Sequence, residues 1–441
     1  MIAFFIILVG FGLFLFSGTQ EVAVGPSGIS STEANVNTTS AGGLPPLPEA
    51  AVLNASSTNV GQYAAVDLPN QPHLINPPSV VKAVYVTAWS AGSKAKMNYI
   101  VGLIKRTELN AVVIDIKDYS GHISYKTSIT EVNDAGASGE LRIPAPNALI
   151  KQLHDDGIYV IGRITVFQDP ILAKAHPEWA LKNRITGKTW VDRKGLAWMD
   201  PAAKPVWDYN LSIAKDALAR GFDEVNFDYI RFASDGDLSQ ISYPYWDGKT
   251  PYHKVIAGFF KYLRENLPDY KISIDLFGLS TINPDDLGIG QVIEDAYKYF
   301  DFVCPMVYPS HYAAGFIGYQ NPAEHPYEVI KYSLEHALNR VIALSKIETA
   351  TTAATSSGPT PSVLGTADQV LPSSPTVPVS KIRPWLQDFD LGAIYDASMV
   401  RKEIQAVGDV LGSATSSDEF VGWLLWDPAN TYTEGALQTS N

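Results

Sequence analysis

The sequence has little of what metal, nucleotide and nucleic-acid sites require. Its single cysteine, Cys304, excludes an intrachain disulfide and any metal site built from several cysteines. It contains no H-E-x-x-H, Walker A or G-x-S-x-G segment, so common zinc-protease, phosphate-loop and serine-hydrolase signatures are missing. A formal net charge of −13 disfavours binding to a polyanion. We therefore expect no metal, no cofactor and no nucleic acid partner.

The N-terminus is the longest apolar run in the chain. Residues 1–18 are almost continuously apolar and carry no Lys or Arg before that run. The run is slightly short of the roughly 20 residues of a full membrane span, and no A-x-A cleavage site follows it directly. We interpret it as a signal anchor or signal peptide. This predicts a cell-envelope or extracellular protein that is tethered to the membrane by its N-terminal segment.

Two other segments lack the periodicity of folded elements. Residues 19–79 are rich in Ser, Thr, Asn, Gly, Ala and Pro, which predicts a disordered linker. Residues 349–378 have a similar composition and interrupt the pattern around them, so we interpret them as a low-complexity insertion. The folded domain is predicted to span residues 80–435.

Within that domain the sequence alternates between strand-like and helix-like segments. Eight strands are predicted, at 81–89, 111–118, 158–167, 225–232, 271–278, 301–307, 382–388 and 421–426. Eight strand–helix alternations predict a (β/α)8 TIM barrel. An open doubly wound sheet is the alternative, but the turn after the first strand lacks the Gly-rich phosphate motif of that fold.

The fourth strand carries charges that a buried strand should not have. Asn226 and Asp228 share one face by alternation, and Arg231 follows them. Burying a carboxylate costs free energy unless it is paired or used. One interpretation is a structural ion pair between Asp228 and Arg231. The other is a catalytic carboxylate at the C-terminal end of a barrel strand, where barrel enzymes place their chemistry.

Polar and aromatic residues also collect at the other strand ends and in the long loop after the third strand. Aromatic rings stack on the C–H faces of sugars, and charged groups bind their hydroxyls. The residues predicted to bind substrate are therefore Trp89, Lys117, Asp118, Arg163, Trp190, Trp198, Arg231, Met306, Tyr308, His311 and Trp426. For the loop residues Trp190 and Trp198, packing of the loop onto the barrel is an equally open interpretation.

Three segments carry a resemblance to a known family. They are G-F-D-E-V-N-F-D-Y-I-R-F at 221–232, D-D-L-G-I-G-Q at 285–291 and D-F-V-C-P-M-V-Y-P-S-H-Y at 301–312. Together they resemble the "putative glycosyl hydrolase domain" family of bacterial TIM-barrel proteins, over about residues 81–432 apart from the insertion. The chain is also distantly similar to α-amylase and chitinase types of barrel, which place a catalytic carboxylate on the fourth strand. The resemblance implies that Asp228 is the key acidic residue.

These observations predict a glycoside hydrolase that acts on a cell-envelope or extracellular polysaccharide or oligosaccharide through two carboxylates. We expect Asp228 to be the nucleophile or charge stabiliser, kept ionised by Arg231, and Asp275 to be the proton donor, with Asp115 in reserve. Two Asp on adjacent strands favour the wider carboxylate separation of an inverting enzyme, about 6.5–9.5 Å. The alternative is a non-catalytic carbohydrate-binding or envelope-scaffolding protein on a degenerate barrel.

Overall fold

The structure is a computed structural model that describes residues 67–356, 381–412 and 420–440. The predicted anchor at 1–18, the linker up to residue 66 and the insertion from 357 to 378 lie outside these residues. Across the described ranges, no helix combines the length and hydropathy that crossing a membrane requires.

Eight parallel strands close into a barrel, and the seventh consists of two short segments. They are β1 (Val81–Val86), β2 (Ala111–Lys117), β3 (Tyr159–Thr165), β4 (Glu224–Asp228), β5 (Lys271–Phe277), β6 (Phe302–Met306), β7 (Lys381–Ile382 and Trp385–Gln387) and β8 (Gly422–Trp426). Each strand pairs in parallel with the next, and β1 pairs with β8 to close the ring. The predicted (β/α)8 barrel is confirmed, and the open doubly wound sheet is excluded.

Helices surround this barrel, and their apolar faces pack on the outside of the strands. They are α1 (Ala88–Ala91), α2 (Lys94–Arg106), α3 (Thr130–Asp134), α4 (Pro146–Asp155), α5 (Pro170–Ala175), α6 (Lys204–Arg220), α7 (Tyr252–Asn266), α8 (Ile293–Tyr297), α9 (Pro326–Ser356) and α10 (Ala397–Leu411). In α10, for example, Val400, Ile404, Val407 and Leu411 are buried at helical spacing. Helix α9 continues into residues that we predicted to belong to the insertion.

Alternation along the strands separates an outer apolar layer from the barrel interior. In β1, Val84 and Val86 belong to the outer layer, whereas Ala83 and Tyr85 belong to the inner one. The inner layer also takes residues from the other strands, including Val113, Ile161, Cys304, Trp385, Leu424 and Trp426. A polar residue in phase with this inner set therefore points into the barrel.

Two strands end or break where the backbone requires it. The strand predicted at 225–232 ends at Asp228 because Tyr229 has a φ of 54°, a left-handed conformation that is rare for a bulky residue. The strand predicted at 382–388 is interrupted around Pro384, which has no N–H to donate to the sheet.

The end of the predicted linker packs along the outside of the barrel, against α4 and the residues before β4. The Asp67 carboxylate accepts hydrogen bonds from the backbone N–H groups of Asn147 (3.1 Å) and Ala148 (3.2 Å) at the start of α4. The Leu74 N–H donates to the Asp223 carboxylate at 2.6 Å, next to β4. Gly221 ends α6 with a φ of 110°, as its sequence position predicts. The folded unit therefore reaches back at least to Asp67, rather than beginning at residue 80.

Candidate active site

One guanidinium contacts carboxylates from three strands inside the barrel. Arg163 on β3 lies between Asp115 on β2 and Asp228 on β4. Its Nη1 is 2.7 Å from Asp115 Oδ1, its Nη2 contacts Asp228 Oδ2, and its Nε is 3.7 Å from Asp275 Oδ2 on β5. All four side chains are buried. The parallel register of four consecutive strands therefore brings these groups together.

The buried cluster contains more potential negative charge than Arg163 can neutralise. Ionised carboxylates are costly to bury, so such an arrangement favours the protonated form of at least one of them. Burial and the nearby Asp228 charge raise the pKa of Asp275 to about 8. Burial also raises the pKa of Asp115, although Arg163 opposes that shift. Asp275 consequently holds a proton at neutral pH.

Asp228 has contacts of the opposite kind. One of its oxygens contacts the Arg163 guanidinium, and the other accepts a hydrogen bond from the Tyr229 N–H at 2.6 Å. Both contacts stabilise a negative charge. The left-handed backbone of Tyr229 accompanies this contact, and such backbone strain is often found at functional sites. Asp228 thus has contacts that stabilise a charge, whereas the pKa of Asp275 is raised, and acid–base chemistry needs two groups that differ in this way.

Two aromatic residues that the sequence prediction omitted touch these carboxylates. The Tyr85 hydroxyl donates to Asp115 Oδ2 at 2.5 Å, and Trp385 Nε1 donates to Asp275 Oδ1 at 2.7 Å. Alternation along β1 could have identified Tyr85 as an inward residue. Trp385 was harder to find, because the break around Pro384 obscures the phase of its strand.

Arg231 does not hold the position that either sequence interpretation gave it. The cation that pairs with Asp228 is Arg163. The Arg231 guanidinium instead lies 4.6 Å from the ring centre of Trp198 and donates to Ser234 Oγ at 2.9 Å. Arg231 thus packs against the long loop after β3, next to the site.

Lys117 lies outside the barrel, between the strands and the helices. Its Nζ forms an ion pair with Asp169 at 2.6 Å and donates to Asn210 Oδ1 at 2.9 Å, and both charged side chains are fully buried. A β-bulge follows Asp115, so that Lys117 pairs with the outward residue Ile164. Its prediction as a substrate-binding residue at the barrel mouth is therefore wrong in this structure.

The predicted tryptophans fall into two groups. Trp190 and Trp198 are 3% and 1% exposed, and their indole N–H groups donate to Asp237 O and Asp192 Oδ2. They pack the long loop, which was the second of the two interpretations. Trp426 is buried and stacked on Tyr85, with ring centres 3.7 Å apart. By contrast, Trp89 is 57% exposed and keeps a surface on which a sugar could stack.

Other predicted residues are near the C-terminal strand ends. Asp118 pairs with Arg142 at 2.5 Å, and the Arg142 guanidinium lies 5.3 Å from the Trp89 ring centre. His311 packs against the rings of Tyr308 and Phe389, and burial lowers its pKa to about 4. Its imidazole is therefore neutral.

Met306 is the last residue of β6, and Tyr308 follows it by two residues at the same end of the barrel. The Tyr308 hydroxyl is buried and meets no hydrogen-bond partner among the described residues, and burial together with the Asp275 and Asp228 charges raises its pKa. Met306 is half-buried and pairs across the sheet with Phe277 and Trp385. In the described part of the chain, no three His, Cys, Asp or Glu side chains are arranged to hold a metal ion.

Residues 83–351 match the family model described as "putative glycosyl hydrolase domain". The chain belongs to this family. The matched residues include most of β1 and all of β2 to β6, and so Asp115, Arg163, Asp228 and Asp275 all lie within the family domain. The last two barrel strands lie beyond the match. No curated protein matches the chain.

Several solved structures are similar to this chain. The glycoside hydrolase domain of PgaB (BpsB) from Bordetella bronchiseptica aligns with 79% of this chain and 94% of its own, at 13% identity and a TM-score of 0.50. A hypothetical protein from Ruminiclostridium thermocellum is 37% identical over 46% of this chain and 98% of its own, with a TM-score of 0.40. The glycoside hydrolase domain of PelA from Pseudomonas aeruginosa is 12% identical over 80% and 97%, with a TM-score of 0.38.

Proposed function

We propose that this family member is a glycoside hydrolase that cleaves a polysaccharide of the cell envelope or its surroundings. The observation that carries the proposal is the contrast between Asp228 and Asp275. Both touch Arg163, but Asp228 makes contacts that stabilise a charge, whereas the pKa of Asp275 is raised to about 8. Glycosidases need such a pair, with one carboxylic acid and one carboxylate on either side of the scissile bond.

The proposed reaction assigns one role to each group. Asp275 donates its proton to the glycosidic oxygen as the bond from that oxygen to the anomeric carbon breaks. Asp228 stabilises the positive charge that develops at the anomeric carbon. In the inverting reaction it also accepts a proton from the water whose oxygen bonds to that carbon; in a retaining reaction Asp228 would itself bond to that carbon, and water would then hydrolyse this intermediate with Asp275 accepting the proton of that water. Asp115 holds Arg163 in place through Nη1. The wider separation of an inverting enzyme remains our prediction.

A non-catalytic carbohydrate-binding protein is the second candidate, and one observation favours it. Asp115 and Asp228 are both engaged by Arg163, and they are only 3% and 5% exposed. Buried ion-pair networks can perturb carboxyl groups for structural reasons alone. In that case the exposed Trp89 would bind sugar without hydrolysis.

Hydrolysis of a glycan panel separates these candidates. The panel would include α-glucans, galactosides and polymers of N-acetylhexosamines, with reducing ends measured after incubation. We expect wild type and Asp134→Asn, which changes an exposed carboxylate on α3, to cleave the same glycan. Asp228→Asn and Asp275→Asn should remain folded and lose at least a hundredfold in turnover, since each acid–base group contributes about 10²–10⁴-fold. Sugar binding without cleavage by wild type would support the second candidate.

We also propose that the protein is exported and tethered to the membrane by residues 1–18. The apolar composition of this run is what supports the proposal. Fusing residues 1–79 to alkaline phosphatase, which is active only after export, tests it. An inactive fusion that stays in the cytoplasm would contradict it.

A further inference from the structure

The two oxygens of Asp275 have different surroundings. Oδ1 accepts hydrogen bonds from Trp385 Nε1 at 2.7 Å and from Asn226 Nδ2 at 2.9 Å. Oδ2 receives no hydrogen bond from any described residue, and it lies 3.7 Å from Arg163 Nε. Two N–H donors occupy the lone pairs of Oδ1, so a proton that binds this carboxyl group is directed to Oδ2.

The orientation of the Asn226 amide depends on Ser273, its pairing partner on β5. The Ser273 hydroxyl has one hydrogen, which it donates to Glu224 Oε1 at 2.5 Å. Toward Asn226 it can therefore only accept, and Asn226 Nδ2 lies 3.1 Å from Ser273 Oγ. The same nitrogen then faces Asp275 Oδ1, whereas a flipped amide would set two oxygens against each other at Ser273.

Glu224 determines the direction of the hydrogen bonds that run from it through Ser273 to Asn226. Arg383 forms an ion pair with Glu224 inside the barrel, and both side chains are fully buried. The Tyr159 hydroxyl is a further donor to Glu224, at 3.3 Å. A carboxylate can only accept hydrogen bonds, so the hydrogen of Ser273 is committed to it.

We propose that Glu224, Ser273, Asn226 and Trp385 form a positioning chain that keeps the acidic proton of Asp275 on Oδ2, the oxygen beside Arg163. The chain starts from an ion pair deep in the barrel and ends at the group that would protonate the glycosidic oxygen. The proposed function enters only through the role of Asp275 as proton donor. The location of the proton is a property of the resting protein and can be measured without a substrate.

Several charged or titratable groups surround Asp275 and remain in place in the test. They are Arg163 from β3, Asp228 from β4, Cys304 from β6 and Tyr308 after β6. Donors to Oδ1 favour the ionised form of Asp275, so that removing one of them should raise its pKa further.

Infrared difference spectroscopy of the full chain across a pH titration tests the proposal. Asp275→Asn identifies the carbonyl band of the protonated Asp275 by removing it. In Trp385→Phe, which keeps a ring but loses the donor, this band should move to higher wavenumber. Its titration midpoint should rise by roughly one pH unit, about tenfold in proton affinity. Trp423→Phe is the matched control, since Trp423 is equally buried but belongs to the outer apolar layer.

A second variant covers the case in which Trp385→Phe fails to fold. Ser273→Ala frees the Asn226 amide to turn, so the midpoint should rise in the same direction, and Ser273→Thr, which keeps the hydroxyl, should restore it. An Asp275 band whose wavenumber and midpoint are unchanged in Trp385→Phe and Ser273→Ala would overturn the positioning chain. If the Asp275 band shifts in these variants but the wild-type protein cleaves no glycan, the positioning chain is supported and the proposed hydrolase is not. Where cleavage is measurable, the basic limb of the pH profile of kcat/KM should shift in the same direction as the titration midpoint of the band.

Discussion

At the scale of single residues, surroundings rather than residue type distinguish the two central aspartates. Asp228 and Asp275 have the same side chain, and both are buried. Asp228 contacts the Arg163 guanidinium closely and accepts a backbone N–H, whereas Asp275 accepts an indole and an amide N–H and lies 3.7 Å from Arg163 Nε. Burial and the nearby Asp228 charge raise the pKa of Asp275, and the more distant guanidinium and the two neutral donors offset only part of that shift.

The raised pKa of Asp275 predicts how stability depends on pH. The folded state keeps this proton up to about pH 8, whereas the unfolded chain releases it near pH 4. Between these values the folded state binds more protons, so stability falls as pH rises, by up to about 1.4 kcal/mol per pH unit. Asp275→Asn mimics the protonated form and should remove this part of the slope. Urea unfolding at pH 5 and pH 8 measures it; an equal pH dependence in both proteins would contradict the assignment.

Exposure predicts different outcomes for two tryptophans. Trp198 is 1% exposed, so that Trp198→Ala should lower the free energy of unfolding by about 3–5 kcal/mol. Trp89 is 57% exposed, so that Trp89→Ala should leave the thermal midpoint nearly unchanged. It should weaken oligosaccharide binding by about 0.5–1.5 kcal/mol, the typical contribution of an aromatic contact. Calorimetric melting and titration with the cleaved glycan check both values. A large drop in the melting temperature of Trp89→Ala would place its ring in the core.

At the scale of secondary-structure elements, a single bulge in β2 decides the role of a charged residue. Without the bulge, Asp115 and Lys117 would share the inner face by alternation. The extra residue moves Lys117 to the outer face, where it meets Asp169 and Asn210. An irregularity of one residue thus changes a predicted ligand into a structural ion pair.

The buried pair of Lys117 and Asp169 predicts a change in stability. Lys117→Met leaves Asp169 buried without its cation, which should cost about 3–5 kcal/mol of unfolding free energy. Adding Asp169→Asn should recover much of this loss, because it removes the unpaired charge and keeps an oxygen for the Leu172 N–H. Denaturant unfolding of Lys117→Met, Asp169→Asn and the double variant completes the cycle. Lost activity with unchanged stability would return Lys117 to the substrate site.

At the scale of the whole molecule, the barrel includes a segment that composition assigned to the linker. Residues 67–79 are poor in apolar residues, and their contacts are mainly polar: a carboxylate at the start of α4 and a backbone N–H on Asp223. Helix α4 has no side-chain cap of its own at Ala145, so Asp67 supplies it from outside.

This packing predicts where the chain can be shortened. A chain that starts at Asp67 should melt at the same temperature as the full-length protein. A chain that starts at Pro78 should still unfold cooperatively but at a lower temperature, because the cap alone contributes about 0.5–2 kcal/mol. Asp67→Ala in the longer chain isolates that contribution. Equal melting of both shortened chains would show that the segment adds nothing to the fold.

The sequence by itself determined the barrel and the inward phase of Asp228 and Asp275. Eight alternations and a period of two suffice for this, and they placed Asp228 and Asp275 on adjacent strands. The tertiary structure decided which cation joins them, because Arg163 reaches both only once the strands are in register. It also decided the burial of Trp190 and Trp198 and the outward turn of Lys117. Periodicity describes one strand at a time, whereas partners depend on neighbouring strands, bulges and loops.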